Sequence, residues 1–185
     1  MPALPPTELL TPRLQLRAPE NGDAADLLEM HASPDVMRHS NSLPWTTVDQ
    51  AQGLITSARA WAQSGRHLCL CIVERSSGRV VGTCTLFDIT HEHRRAELGF
   101  LLSDRVWRRG YMSEALAALI GHAFGALDLD RIEADTDPGN VAAIGLLESL
   151  GFVREGLLRQ RWVVGGRKSD AAMYGLLRDD AAPPR

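Results

Sequence analysis

Cysteine is scarce in this chain of 185 residues: there are three, Cys69, Cys71 and Cys84. An odd count with no C-x-x-C pair argues against a disulfide framework and offers no zinc-ligand spacing. Buried free thiols in a reducing cytosol fit better. Charge of one sign is also missing, since the formal net charge is −3. A general nucleic-acid footprint is therefore not expected, and any anion site must be local. No run of 18 or more apolar residues occurs, so no membrane span is expected. The start, MPALPPTELLTPRL, lacks a charged segment followed by an apolar one and does not read as a secretory signal. Internal repeats and low-complexity tracts are absent too. So are the phosphate-loop pattern G-x-x-x-x-G-K-[ST], the dinucleotide turn G-x-G-x-x-G and the nucleophile elbow G-x-S-x-G.

What remains is ordinary for a globular domain: 44% hydrophobic and 23% charged residues. The length suits one domain, assigned to residues 9–180, with 1–8 and 181–185 as flexible termini. The alternation of RLQLRAP (13–19) predicts a strand. Helices are expected over 22–33, ended by Pro34, and over 46–65, where Thr47 can cap and Gly65 closes. Three strands, 67–74, 79–89 and 95–102, follow with short polar turns, the pattern of an antiparallel meander. Leu116, Leu119, Ile120, Ala123, Phe124 and Leu127 then form a helical stripe. A strand (130–137), a helix (140–151) and two strands (152–164 and 168–177) around GGR complete the chain. The order predicts an α/β (α+β) domain with a mixed sheet and helices on its faces.

One stretch asks for a ligand. RVWRRGYMSEALAAL (105–119) places three arginines and a glycine directly before a helix. A helix N-terminus already favours negative charge, so cations there imply an expected anion. A strand–loop–helix with outward amides is a phosphate cradle, to which Arg108 and Arg109 would add contacts while Gly110 lets the backbone approach.

WRRGYMSEA (107–115) resembles the acetyl-CoA pyrophosphate loop of the GNAT acetyltransferases, Q/R-x-x-G-x-G/A. LLTPRLQLRAP, AELGFLL, DPGNVAAIGLLESLGFVREGLLR and DAAMYGLLRDD extend the resemblance over residues 9–180, to the RimJ/RimL-type branch that acetylates ribosomal-protein N-termini. The resemblance implies a GNAT fold: a mostly antiparallel sheet of about seven strands with helices on both faces. It also implies that strands 95–102 and 130–137 splay apart around acetyl-CoA. The pantetheine arm would pair with Phe100, Leu101 and Leu102, and the pyrophosphate would sit on amides of Arg108, Arg109, Gly110, Tyr111, Met112 and Ser113. Three positions depart from the pattern. Trp107 stands for Gln or Arg, Met112 stands for Gly or Ala, and Ala143 replaces the serine of N-x-x-S.

Acetyl transfer to an amine requires loss of the amine proton, stabilisation of the carbonyl oxygen and departure of the thiolate. Glu97 is the candidate base, through a water; its alternative role is a carboxylate paired with a neighbouring arginine. An amide near Leu101 or Leu102 would serve the oxyanion. Asn140 would cap its helix and hold the pantetheine or a water. Trp45 is a candidate substrate contact, and Asp170 would shape the acceptor side. Tyr174 reads as core, and His91 and His93 read as a solvated hairpin tip rather than a metal pair. The expected activity is N-acetylation of a protein or peptide α-amine in the cytoplasm, without metal, nucleic acid or membrane, by a chain that can form a homodimer. A small amine as acceptor, or acyl-CoA binding without turnover, are the alternatives.

Overall fold

The computed structural model describes residues 3–180. Eight strands form one sheet: β1 (Glu8–Leu10), β2 (Leu14–Arg17), β3 (Leu68–Glu74), β4 (Val80–Thr90), β5 (Arg95–Leu102), β6 (Arg131–Thr136), β7 (Val153–Val164) and β8 (Arg167–Leu177). Their spatial order is β1-β2-β3-β4-β5-β6-β8-β7, and only β5 and β6 pair in parallel. The helices are α1 (Ala24–Ala32), α2 (Pro34–Met37), α3 (Val48–Ser64), α4 (Tyr111–Gly125) and α5 (Val141–Ser149).

The expected seven strands become eight because β1 is only three residues long, too short to show an alternation. It pairs with β2 across the turn at Thr11–Arg13. The Leu4 amide also donates to the Ala62 carbonyl at 2.8 Å. The described part of the leader, expected to be loose, is therefore fastened at two points. Residues 1, 2 and 181–185, the last forming the other expected flexible terminus, lie outside the described residues.

Period-two alternation in β3 divides the core. Leu68, Leu70 and Ile72 join one cluster with Leu116, Leu119 and Phe124 of α4 and Leu147 of α5. Cys71 and Val73 face the other way, against Leu27 of α1 and Ile55 of α3. Helices thus cover both faces, and β3 is buried along nearly its whole length. The three thiols are buried and unpaired. Thr47 and Gln50 form a reciprocal capping box on α3, and Gly65 ends it in the left-handed region. Gly165 and Gly166, with φ of 54° and 79°, make the tight β7–β8 turn that requires positive φ at both positions.

Helix 22–33 begins later than expected, after a 3-10 turn at Asn21–Asp23. Asp23 is buried there and meets Arg17 through two bonds of 2.7 and 2.8 Å. Burial alone would raise its pKa. The bonds from Arg17 and the Glu20 amide outweigh that and hold the carboxyl below its ordinary range. Asp23→Ala is expected to cost about 3 kcal/mol, because it strands a guanidinium. A depressed folded-state pKa contributes stability above the unfolded value and loses it as pH falls through the folded value. The gap between wild type and Asp23→Ala in urea denaturation is thus expected to be full at neutral pH and to shrink in acid.

Candidate active site

Strand β5 pairs with β4 from Arg95 opposite Thr90 to Leu102 opposite Gly82, with one register shift between Phe87 and Thr90. Strand β6 stays registered with β8 from Arg131 to Thr136. Between them, β5 and β6 pair only at Arg95–Arg131, Ala96–Ile132 and Glu97–Glu133. Beyond Glu97 each strand keeps its outer partner and leaves the other. This is the splay expected for strands 95–102 and 130–137, and it leaves backbone groups facing a gap with no partner strand. At the closed end Arg95 bonds Glu133 at 2.8 Å, and Arg131 bonds Glu133 and Glu155.

The gap opens into a cleft of about 1120 Å³. Glu97, Leu98, Gly99, Phe100 and Leu101 of β5 line one wall; Asp135 and Thr136 of β6, Asp137 just beyond it and the first turn of α5 line the other. The segment from α2 to Pro44 and the β7–β8 hairpin close the sides. Gly99 is required where Phe87 crosses it, since a Cβ would lie 2.7 Å from the Phe87 ring.

Glu97 is half-buried at the point of divergence. Arg95, its nearest cation in the chain, is bound to Glu133, and Glu97 forms no ion pair among the described residues. The paired-carboxylate alternative is therefore not what the structure shows. Burial, followed by Asp88, Glu133 and Asp135, raises its pKa above the ordinary carboxylate range against the opposing effect of Arg95. A half-buried carboxylate with a raised pKa is suited to accept a proton near neutrality.

Helix α4 starts at Gly110, whose φ of 73° turns the chain into it, and Arg108 has a φ of 62°. The carbonyl of Gly110 accepts from Glu114 at 3.1 Å. Among the described residues, the first-turn amides of Tyr111, Met112 and Ser113 have no acceptor. Tyr111 and Met112 are buried. The turn is held from behind: Glu114 accepts from Thr11 and from Arg13, and Arg13 lies 4.6 Å over the Tyr111 ring. Three free amides, a helix dipole and exposed Arg108 fit a diphosphate.

The sequence-predicted residues do not all gather. Leu102 does not line the cleft; its carbonyl accepts from the Trp107 indole at 2.9 Å. None of residues 108–113 lines it either, although Trp107 does. Arg109 lies by Glu74 and Tyr111, behind the turn, and its carbonyl is held by Arg13. Trp45 is also outside the lining. It stacks on His31 with centroids 3.8 Å apart, and His31 is the residue that reaches the cleft. Asn140 caps α5 as expected, accepting from the Ala143 amide at 3.1 Å, and lines the cleft together with Ala143. Asp170 lines it while accepting from the Gln160 amide. Trp162 lines it too and donates to Asp135 at 2.7 Å. Tyr174 is core, and His91 and His93 are exposed. Sequence reading missed His39, which meets Asp137 at 2.9 Å in the cleft wall. No helix among the described residues is long and apolar enough to cross a membrane, and no group of three or more His, Cys, Asp or Glu among them could hold a metal.

Comparison with known proteins agrees with this geometry. The family model "Acetyltransferase (GNAT) domain" matches residues 13–153. The uncharacterized N-acetyltransferase p20 of Bacillus licheniformis is 38% identical over 174 residues, 94% of this chain and 98% of that protein. The structure of Mycobacterium smegmatis RimJ in complex with CoA-disulfide has a TM-score of 0.88 and 26% identity, covering 97% of this chain and 91% of that one. The spermidine N(1)-acetyltransferase of Vibrio cholerae is 24% identical over 166 residues, 90% of this chain and 94% of that protein. The chain belongs to the GNAT acetyltransferase family. It is an acetyl-CoA-dependent N-acetyltransferase.

Proposed function

We propose that the protein transfers acetyl from acetyl-CoA to the N-terminal α-amine of a protein or peptide, by direct attack with both substrates bound. The splay of β5 from β6 beside the free first turn of α4 carries this reading. The amides of Tyr111, Met112 and Ser113 hold the diphosphate, and Arg108 adds charge. The pantetheine arm follows the unpaired edge of β5 at Phe100 toward Asn140. Glu97 takes the proton of the acceptor ammonium through a water. The amide of Phe100, which the β4–β5 register turns toward the gap while that of Leu101 faces Thr83, is the donor to the carbonyl oxygen as charge builds there.

The size of the cleft supports an acceptor larger than a small metabolite. About 1120 Å³ exceeds the usual span of a single small-ligand pocket, roughly 300–1,000 Å³. Leu43 and the hairpin at Gly165 close together along one side of the cleft, where a Cβ on Gly165 would stand 3.4 Å from Leu43. Asp88, Glu97, Asp135, Asp137 and Asp170 make the lining attractive to a cationic amine. The same carboxylates also favour a polyamine, the second reading, to which the spermidine acetyltransferase relative adds weight. Cytoplasmic work belongs to the proposal and is supported by three unpaired thiols.

Release of CoA thiol should separate the two acceptor classes. Short peptides with varied N-terminal residues are expected to give turnover well above that of spermidine, spermine or free amino acids at equal concentration. Turnover with polyamines alone would overturn the peptide reading and leave the family chemistry standing.

A further inference from the structure

His39 and Asp137 are 98 positions apart in sequence and meet at the cleft wall. Nδ1 of His39 lies 2.9 Å from Oδ2 of Asp137, while Oδ1 of the same carboxylate accepts from the Gly139 amide at 2.7 Å. Both carboxylate oxygens are thus committed, and the carboxylate holds the tautomer with hydrogen on Nδ1. The lone pair of Nε2 is then left free. Burial alone would raise the pKa of Asp137; the bonds from His39 and Gly139 hold the carboxyl below its ordinary range instead. The pair adjoins Asn140: the Asn140 amide donates to the Asp137 carbonyl at 2.9 Å, and a Cβ on Gly139 would stand 3.8 Å from Cε1 of His39. Ala143, one turn into α5, brings no hydroxyl to this wall.

We propose that His39, oriented by Asp137, is a catalytic residue that carries a proton to the departing CoA sulfur. This rests on the reading above, in which the thioester end of acetyl-CoA reaches Asn140. After the amine has added to the carbonyl, its nitrogen bears one surplus proton. Nε2 accepts that proton. The C–S bond then breaks with its electron pair going to sulfur, the carbonyl re-forms, and the imidazolium returns the proton to sulfur. The products are the amide and the CoA thiol, and the proton that Glu97 took from the ammonium passes to solvent. Glu97 acts earlier, on the ammonium, so the two groups do not duplicate each other. Asp137 is a positioning residue, acting only through His39.

Other charges face this cleft. Asp35 and Arg38 precede His39 on its own segment and pair with each other. Glu97 lies on β5 and Asp135 on β6, and Arg167, Lys168 and Asp170 come from β8. A titration near His39 reports all of them, so the test compares variants rather than absolute values.

The test uses CoA itself and needs no acceptor. The thiol of bound CoA is titrated by its ultraviolet thiolate absorbance in wild type, His39→Gln and Asp137→Asn, with CoA affinity measured in each. The wild-type complex is expected to ionise its thiol at least about tenfold more readily than either variant, as a thiol beside an imidazole does. CoA affinity is expected to be alike in all three. Equal thiol titration in three CoA-saturated proteins would overturn the role of His39 while leaving the cleft reading intact. Absence of CoA binding to wild type would overturn both. With a competent acceptor, kcat in His39→Gln should fall about 10²-fold with KM for acetyl-CoA unchanged.

Discussion

Replacing Gly110 by aspartate is expected to abolish acetyl-CoA binding in a protein that still folds. Aspartate tolerates the left-handed conformation that φ of 73° requires at a cost of about 1–2 kcal/mol. The Cβ has room, since its nearest neighbour, a guanidinium nitrogen of Arg13, would be 3.5 Å away and of opposite charge. The new carboxylate would stand beside the three amides assigned to the diphosphate. Two unit charges about 4 Å apart repel by about 4 kcal/mol at the effective dielectric of a protein surface, which amounts to between two and three orders of magnitude in affinity. Gly110→Asn keeps the shape without the charge and should lose far less. Isothermal titration with CoA reads both variants, and circular dichroism confirms the fold. Near-native affinity in Gly110→Asp would show that the diphosphate is held elsewhere.

Glu97→Gln is expected to lower kcat about 10²-fold and to leave acetyl-CoA affinity close to wild type. Its effect on pH dependence is the sharper sign. A base must be ionised, so wild-type kcat should rise with pH through an inflection above the ordinary carboxylate range. Burial sets that displacement first, with Asp88, Glu133 and Asp135 adding to it. The glutamine variant has no such group and should lose the inflection while it loses rate. A pH–rate profile unchanged in shape would leave Glu97 as a wall residue.

The parts of the fold that could be read in the sequence are those where local chemistry and tertiary context agree. The α4 stripe, the Thr47 cap, the Gly65 stop and the paired glycines of the β7–β8 turn each carry their own signal, and each appears where expected. Strand β1 carries none, because three residues stabilised by a neighbouring strand show no periodicity. The site divides in the same way. Gly110 and the first turn of α4 were legible because a backbone requirement fixes them. Side-chain directions were not. Arg109 turns back toward Glu74, and Trp45 finds His31, because partners distant in sequence decide where a long or flat side chain rests. Glu97 shows the limit most clearly. Sequence placed it beside arginines, but only the register of β5 on β6 shows that Arg95 is committed to Glu133 and leaves Glu97 unpaired. The His39–Asp137 contact joins two loops, and no spacing rule connects them.

A crystal structure of the CoA complex tests the central claim most directly. Diphosphate oxygens are expected within hydrogen-bond distance of the Tyr111, Met112 and Ser113 amides, with the pantetheine running between β5 and β6 and its sulfur near Asn140. A diphosphate bound away from the start of α4, or a β5–β6 gap closed around nothing, would contradict it.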